Sequence, residues 1–143
     1  MMRGDEIVMR ARDWIGTPYR HQASCKGAGT DCLGLLRGLW RELYGPEPRA
    51  VPAYTADWCE PMGREDLLEA AGALLRPVPM GQAAPGDVLL FRMRPGSVAK
   101  HLGILAETTP VASFIHAYSG HGVVASPLSA PWQRKIAAIF RFP

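Results

Sequence analysis

Apolar residues in the first half of the chain recur at intervals of three and four positions, the pattern of helices that bury one face. Gly16-Thr17-Pro18 and Gly45-Pro46 end the first two helices, because proline cannot continue the backbone hydrogen-bond ladder. Thr30 or Asp31 is predicted to cap the second helix. Three helices are predicted: the first covers 4–15, the second runs from Asp31 or Cys32 to residue 44, and the third covers 64–75. The segments 20–30 and 46–62 are predicted to be loops.

The second half has a different pattern, with short apolar runs separated by turn residues. Ala84-Pro85-Gly86-Asp87 is a predicted turn before the first run, and Ser119-Gly120 is another before the fourth. Helices followed by closely spaced strands indicate an α+β fold with a C-terminal antiparallel sheet. The five predicted strands are 88–91, 101–105, 112–117, 122–125 and 135–140.

Length and composition fit one domain over residues 1–143. The chain is 48% hydrophobic and 20% charged, as in ordinary globular proteins. Its net charge of +3 is spread along the chain without interleaved aromatic residues, so no nucleic-acid partner is predicted. A weak attraction to an anionic polymer such as a bacterial wall stays open.

The N-terminal residues carry charges of both signs and no apolar core, so they do not form a secretory signal peptide. No apolar run has the length of a membrane span, and no membrane insertion is expected. We therefore expect synthesis in the cytoplasm, and action outside the cell would require a carrier.

The three cysteines are Cys25, Cys32 and Cys59, and they form no C-x-x-C pair, so neither a metal nor another cofactor is predicted. Cys32 lies at a predicted helix start after a glycine-rich loop. Unpaired backbone N–H groups there favour a thiolate and can receive an oxyanion, as a cysteine nucleophile requires. The alternative is a small buried hydrophobe, a common fate for cysteine. Cys25 and Cys59 lack this setting and are interpreted as incidental.

Four histidines are available as partners for a nucleophile. His101 opens a predicted strand and His116 lies on the next one. If these strands pair antiparallel, one imidazole can serve as general base and the other can orient it. A core histidine satisfied by the backbone is the alternative for His116. His21 and His121 lie in predicted loops and are expected at the surface.

Five short motifs follow one another along nearly the whole chain, and in this order they are far more specific than any one alone. They are Gly16-Thr17-Pro18-Tyr19-Arg20, Thr30-Asp31-Cys32-Leu33-Gly34-Leu35, Pro85-Gly86-Asp87-Val88-Leu89-Leu90-Phe91, His101-Leu102-Gly103-Ile104-Leu105 and Phe114-Ile115-His116-Ala117. They resemble the successive signatures of the NlpC/P60 cysteine peptidase family. Arg20-His21-Gln22-Ala23-Ser24 and Asp31-Cys32-Leu33-Gly34 are similar to the subgroup found with phage tails and gene transfer agents.

The resemblance implies a papain-like α+β fold in which the nucleophile helix packs on an antiparallel sheet. It also implies cleavage of peptidoglycan stem peptides, often between γ-D-glutamate and a diamino acid. Carried over by position, Cys32 is the nucleophile, His101 the base and His116 the residue that orients it. Tyr19 matches a tyrosine whose hydroxyl lies near the oxyanion, with a packing aromatic as the alternative, and Asp31 matches a substrate-binding aspartate.

Two features depart from the family pattern. The residue after the nucleophile is often serine in the family and is Leu33 here. Members that bind a free N-terminal amine use the flanking aspartate and this serine, so only the aspartate, Asp31, is present for that role. The segment from Gly45 to Met80 is longer than in compact members and is expected to line the cleft.

Three functional hypotheses stay open at this point. The first is peptidoglycan hydrolysis, with delivery on a phage-like tail and with tail proteins as further partners. The second is an amidase or acyltransferase on the same scaffold. The third is a structural tail-tip component whose catalytic set is unused.

Overall fold

The computed structural model describes residues 4–48 and 65–143, so Cys59 and most of the predicted 46–62 loop lie outside the described residues. The described part combines four helices, a short hairpin and one six-stranded sheet. The helices are α1 (Gly4–Arg12), α2 (Cys32–Tyr44), α3 (Asp66–Leu74) and α4 (Ala130–Arg134). The strands are β1 (Ser24–Cys25), β2 (Gly29–Thr30), β3 (Arg76–Val78), β4 (Val88–Phe91), β5 (His101–Glu107), β6 (Ser113–Tyr118), β7 (Gly122–Pro127) and β8 (Ile136–Arg141).

The main sheet has the strand order β3-β8-β4-β5-β6-β7, and every neighbouring pair is antiparallel. This confirms the predicted α+β fold, and the sheet has six strands where about five were predicted. The missed strand is β3, whose Pro77 has no N–H for a ladder. A proline is tolerated here because β3 lies at the edge of the sheet, paired only with β8.

Both faces of the central strands are covered, which explains the uniformly apolar run of β4. One face packs against α1, α2 and α3 in the larger core. The other face forms a second core with residues around α4, including Trp132. Side chains that join the sheet to the helices in the larger core are Ile7, Leu35, Leu39, Leu67, Leu90, Leu102, Ile104 and Ile115.

The first helix ends earlier than the predicted 4–15 span. After Arg12 the chain tightens into i→i+3 hydrogen bonds, from Trp14 N–H to Ala11 and from Ile15 N–H to Arg12. Trp14 is thereby placed against Gly38 of α2, where a Cβ would lie only 2.1 Å from the indole ring. This close contact fixes α1 on α2, the helix that begins with Cys32.

The remaining predicted elements agree with the structure to within a few residues. The predicted loop at 20–30 contains the β1–β2 hairpin, and α4 was not predicted. Among the described residues no helix has both the length and the apolar character needed to cross a membrane.

The turn before β4 is tied to β8 by a buried carboxylate. Asp87 accepts hydrogen bonds from the Arg141 guanidinium at 2.8 and 2.9 Å and from the Ala84 N–H at 2.8 Å. We expect Asp87→Asn to lower the free energy of unfolding by about 2–3 kcal/mol, because it removes charge-assisted hydrogen bonds from a buried site. Urea unfolding measures the change. The exposed Asp13→Asn is the matched control, and equal stability of the two variants would contradict the assignment.

Candidate active site

Asp31 fixes the start of α2. Its extended backbone makes it the N-cap, and its Oδ1 accepts a hydrogen bond from the Gly34 N–H at 2.7 Å. Its Oδ2 accepts a second hydrogen bond, also 2.7 Å long, from the Gln22 N–H in the preceding loop. The carboxylate is thus buried between loop and helix, and it places Cys32 at the first helical position.

Tyr19 is held beside this helix start by the backbone. Thr30 donates its N–H to the Pro18 carbonyl, and the Arg20 N–H bonds the Thr30 carbonyl, each at 3.0 Å. Because Thr30 directly precedes the cap, Tyr19 runs alongside the nucleophile turn. Burial raises the pKa of the Tyr19 hydroxyl to about 12, and negative charge on Cys32, when that thiol ionises, and on Asp31 adds to this effect.

Gly34 has a different role from the one its small size suggests. The sequence indicates that small residues near Cys32 leave room for a substrate. In the structure a Cβ at Gly34 would lie 1.9 Å from the Ala23 carbonyl oxygen and 2.5 Å from the Thr30 hydroxyl. The missing side chain therefore lets the 23–30 hairpin approach α2.

The Cys32 sulfur lies against the start of β5. It is 3.9 Å from the Lys100 carbonyl oxygen, and the N–H groups of Leu102, Leu33 and Cys32 itself also reach it. The residues of β5 that pair with β6 begin at Ile104, opposite Ile115, so the start of β5, where the sulfur lies, comes before the paired part of the strand. Backbone on both sides of His101 therefore contacts the sulfur.

The effect expected of the helix start, which favours a thiolate, is opposed in the structure by burial of the sulfur. Burial and the neighbouring Asp31 carboxylate raise the Cys32 pKa to about 12 and outweigh the three backbone N–H groups, which lower it. The dipole effect is worth about 1 kcal/mol or less. Cys32 is 7% exposed, and a charge there lacks the water that would stabilise it. These effects favour the neutral thiol over the thiolate in the free protein.

The structure brings His101 and His116 together. Their strands are antiparallel neighbours, and His101 Nε2 lies 2.8 Å from His116 Nδ1. Gly103 makes room for this pair, because a Cβ there would lie 3.1 Å from the His116 Cβ. Since Nε2 of His101 is occupied, its Nδ1 is the nitrogen that remains for Cys32.

Both imidazoles are neutral in this environment. His101 is 7% exposed, and burial, followed by the charge of His116, lowers its pKa to about 3. Burial and then the charge of His121 lower the pKa of His116 to about 4. When a carbonyl is present for the sulfur to attack, a neutral thiol can pass its proton to a neutral imidazole that lies within reach.

His116 is not a core histidine satisfied by the backbone. Its Nε2 lies 2.9 Å from the Ser126 hydroxyl on β7. Trp132 of α4 contacts both rings of the pair, with centroids 5.9 Å from His101 and 5.4 Å from His116. Sequence reasoning missed both Ser126 and Trp132, since finding them requires the β6–β7 register and a helix too short to show a periodic pattern.

The other sequence candidates lie at the surface around this cluster, and His21 Nδ1 is 3.9 Å from Asp31 Oδ2. His21 and His121 are exposed, as expected, and His121 stacks on Tyr118. Cys25 is exposed on the hairpin as a free thiol. Among residues 4–48 and 65–143, no three His, Cys, Asp or Glu side chains converge in the manner of a metal site.

A buried cysteine at a helix start, beside two hydrogen-bonded imidazoles on an antiparallel sheet, is an arrangement of the cysteine–histidine hydrolase class. The chain belongs to the NlpC/P60 family, whose model matches residues 16–141. The predicted family is confirmed.

Curated relatives are similar to most of the chain. It is 32% identical over 129 residues to the murein DD-endopeptidase MepS/murein LD-carboxypeptidase of Escherichia coli strain K12, covering 90% of this chain and 57% of the relative. It is 29% identical over 138 residues to the gamma-DL-glutamyl hydrolase of Bacillus subtilis strain 168, covering 95% of this chain and 29% of the relative. The chain thus spans 57% of the length of the first of these relatives and 29% of the length of the second.

Solved structures have the same fold. The NlpC/p60 domain of the peptidoglycan hydrolase SagA superposes with a TM-score of 0.68 at 22% identity, over 99% of this chain and all of that one. NlpC1 from Trichomonas vaginalis superposes with a TM-score of 0.64 at 19% identity, over 97% of this chain and 44% of that one.

The buried histidine pair makes stability depend on pH. Unfolded histidine has a pKa near 6.5, so between about pH 6.5 and 4 the unfolded chain binds protons that the native chain does not. The free energy of unfolding therefore falls as the pH falls through this window. We expect His116→Gln to reduce the slope between pH 6 and 5 by about 1 kcal/mol per pH unit, measured by urea unfolding. The exposed His21→Gln is the control, and an identical slope in His116→Gln and wild type would disprove the buried neutral imidazole.

Proposed function

We propose that this chain is a cysteine peptidase that hydrolyses amide bonds in the stem peptides of bacterial peptidoglycan, and that residues 1–143 form one catalytic domain. The observation that carries the proposal is the contact of the Cys32 sulfur with the backbone on both sides of His101, whose Nε2 is bonded to His116. The family match over residues 16–141 supports a single domain.

The proposed reaction starts from neutral groups. As the Cys32 sulfur attacks the amide carbon, His101 Nδ1 takes the thiol proton and the carbonyl electrons move to oxygen. The imidazolium then gives that proton to the leaving amine, and a thioester remains. Water, deprotonated by the same imidazole, releases the acid and restores the thiol.

Two groups are assigned to the developing oxyanion, the Cys32 N–H and the Tyr19 hydroxyl. The support for Tyr19 is its place alongside the helix start, where it bridges to Thr30, the residue before the cap. Asp31 was predicted to bind substrate. Its burial and its two backbone hydrogen bonds favour a positioning role instead.

The substrate class comes from the names of the relatives, which are a murein endopeptidase, a gamma-DL-glutamyl hydrolase and a peptidoglycan hydrolase. Within that class we propose the bond between γ-D-glutamate and a diamino acid, on the resemblance of the five sequence motifs.

Removing the nucleophile or the base tests the proposal. We expect Cys32→Ala and His101→Ala to reduce the release of soluble stem fragments from purified peptidoglycan by about a thousandfold or more, because the nucleophile and its base act as a unit. Cys25→Ala is the matched control and should keep wild-type activity, since its thiol is exposed on the hairpin. Full activity in Cys32→Ala would end the proposal.

Mass spectrometry of the products identifies the bond. Fragments ending in γ-D-glutamate, with the diamino acid at the new N-terminus, are the expected result. Release of the whole stem from the sugar, or a product joined to an added amine, would instead identify the amidase or acyltransferase.

We further propose that the enzyme is delivered to the wall on a phage-like tail. The support is the similarity of residues 20–24 and 31–34 to the subgroup found with phage tails and gene transfer agents. Detection of the chain in purified tail particles that digest peptidoglycan would support delivery. Particles that contain the chain but lack digestion would favour the structural tail-tip role.

A further inference from the structure

The His101–His116 pair continues to a third side chain. In the β6–β7 register Phe114 is opposite Ser126 and His116 is opposite Val124, so His116 and Ser126 are diagonal neighbours on one face of the sheet. The His116 ring spans this diagonal, with its Nε2 2.9 Å from the Ser126 hydroxyl oxygen. One unbroken line of hydrogen bonds therefore runs from His101 through His116 to Ser126.

The direction in which the protons are donated along this line of hydrogen bonds decides whether His101 can act as a base. A base needs a free electron pair on His101 Nδ1, so the ring proton must lie on Nε2 and be donated to His116 Nδ1. His116 then carries its own proton on Nε2 and donates it to the Ser126 oxygen. In the reverse direction the serine donates, both imidazoles carry their protons on Nδ1, and His101 cannot accept a proton from Cys32.

We propose that Ser126 is a positioning residue that accepts a hydrogen bond from His116 and thereby holds His101 in the tautomer that can deprotonate Cys32. This inference rests on the proposed function only for the identity of the reaction. Ser126 touches neither the sulfur nor His101, and it acts through His116.

Burial makes the serine matter to the tautomer. His116 is fully buried and its ring lies among Phe114, Tyr118 and Trp132, with centroids 4.2, 5.2 and 5.4 Å away. A buried N–H without an acceptor is unfavourable, so loss of the hydroxyl weakens the preference for a proton on Nε2. Ser126 itself is only partly buried, so its own hydroxyl proton can be turned toward water.

The test compares three serine variants of the whole chain. We expect Ser126→Ala to lower kcat on purified peptidoglycan about tenfold with little change in KM, as loss of about one hydrogen bond predicts. Ser126→Thr keeps the hydroxyl and should restore kcat to within about threefold of wild type. Ser113→Ala, the same change on the neighbouring strand, contacts Glu107 instead of the imidazoles and should leave kcat unchanged.

A spectroscopic readout separates this inference from the proposed function. Long-range ¹H–¹⁵N correlation spectra of the histidine rings should show His116 and His101 protonated on Nε2 in wild type, and a mixed His116 tautomer in Ser126→Ala. This holds even if peptidoglycan is not the substrate. A proton on His116 Nδ1 in wild type, or unchanged ring spectra together with wild-type kcat in Ser126→Ala, would overturn the inference.

Discussion

The site depends first on where the Asp31 carboxylate is placed. One oxygen caps α2 through the Gly34 N–H and the other holds the Gln22 N–H of the preceding loop. These two bonds fix the direction in which α2 leaves the hairpin, and so the position of Cys32 against the start of β5. The same buried charge lies close enough to oppose ionisation of the thiol. A single group thus orients Cys32 and adds to the effect of burial, which is the larger cause of the raised thiol pKa, because the geometry that makes a good cap also brings a negative charge near the sulfur.

A protonated thiol changes which step the protein must assist. With the Cys32 pKa raised and the His101 pKa lowered, a preformed thiolate–imidazolium pair is disfavoured in the free protein. The ion pair becomes favourable only when the negative charge can move to a carbonyl oxygen that meets hydrogen-bond donors. In the proposed mechanism proton transfer is therefore coupled to attack, and a buried thiol without substrate is protected from side reactions that need the thiolate. The direction of the imidazole chain then matters, because a base locked in the wrong tautomer cannot accept the proton.

Sequence reasoning was most successful where a pattern is local. Helical spacing and apolar runs predicted α1, α2, α3 and five strands of the main sheet, and the order of motifs predicted that His101 and His116 would meet on neighbouring strands, as they do. It failed where the outcome depends on opposing effects on a pKa or on how two strands are aligned in the sheet. The β3 strand was missed because Pro77 opposes a strand everywhere except at an edge. The direction of the Cys32 pKa shift depends on burial, which a cap motif does not report. Ser126 is visible only once β7 is aligned with β6.

Substrate recognition is where the chain departs furthest from the pattern it resembles. Leu33 stands where serine is frequent, and it is 8% exposed within the core that α2 shares with the sheet. Asp31 is 2% exposed, and a ligand ammonium group would have to compete with the bonds that hold the helix start. Such a contact gains little, because breaking the internal hydrogen bonds costs about as much as the new one contributes. Both positions that flank Cys32 therefore serve the fold. A family can keep its nucleophile and base fixed while substrate binding changes. Catalysis depends on distances between rigid helices and strands, whereas specificity depends on the side chains around the site.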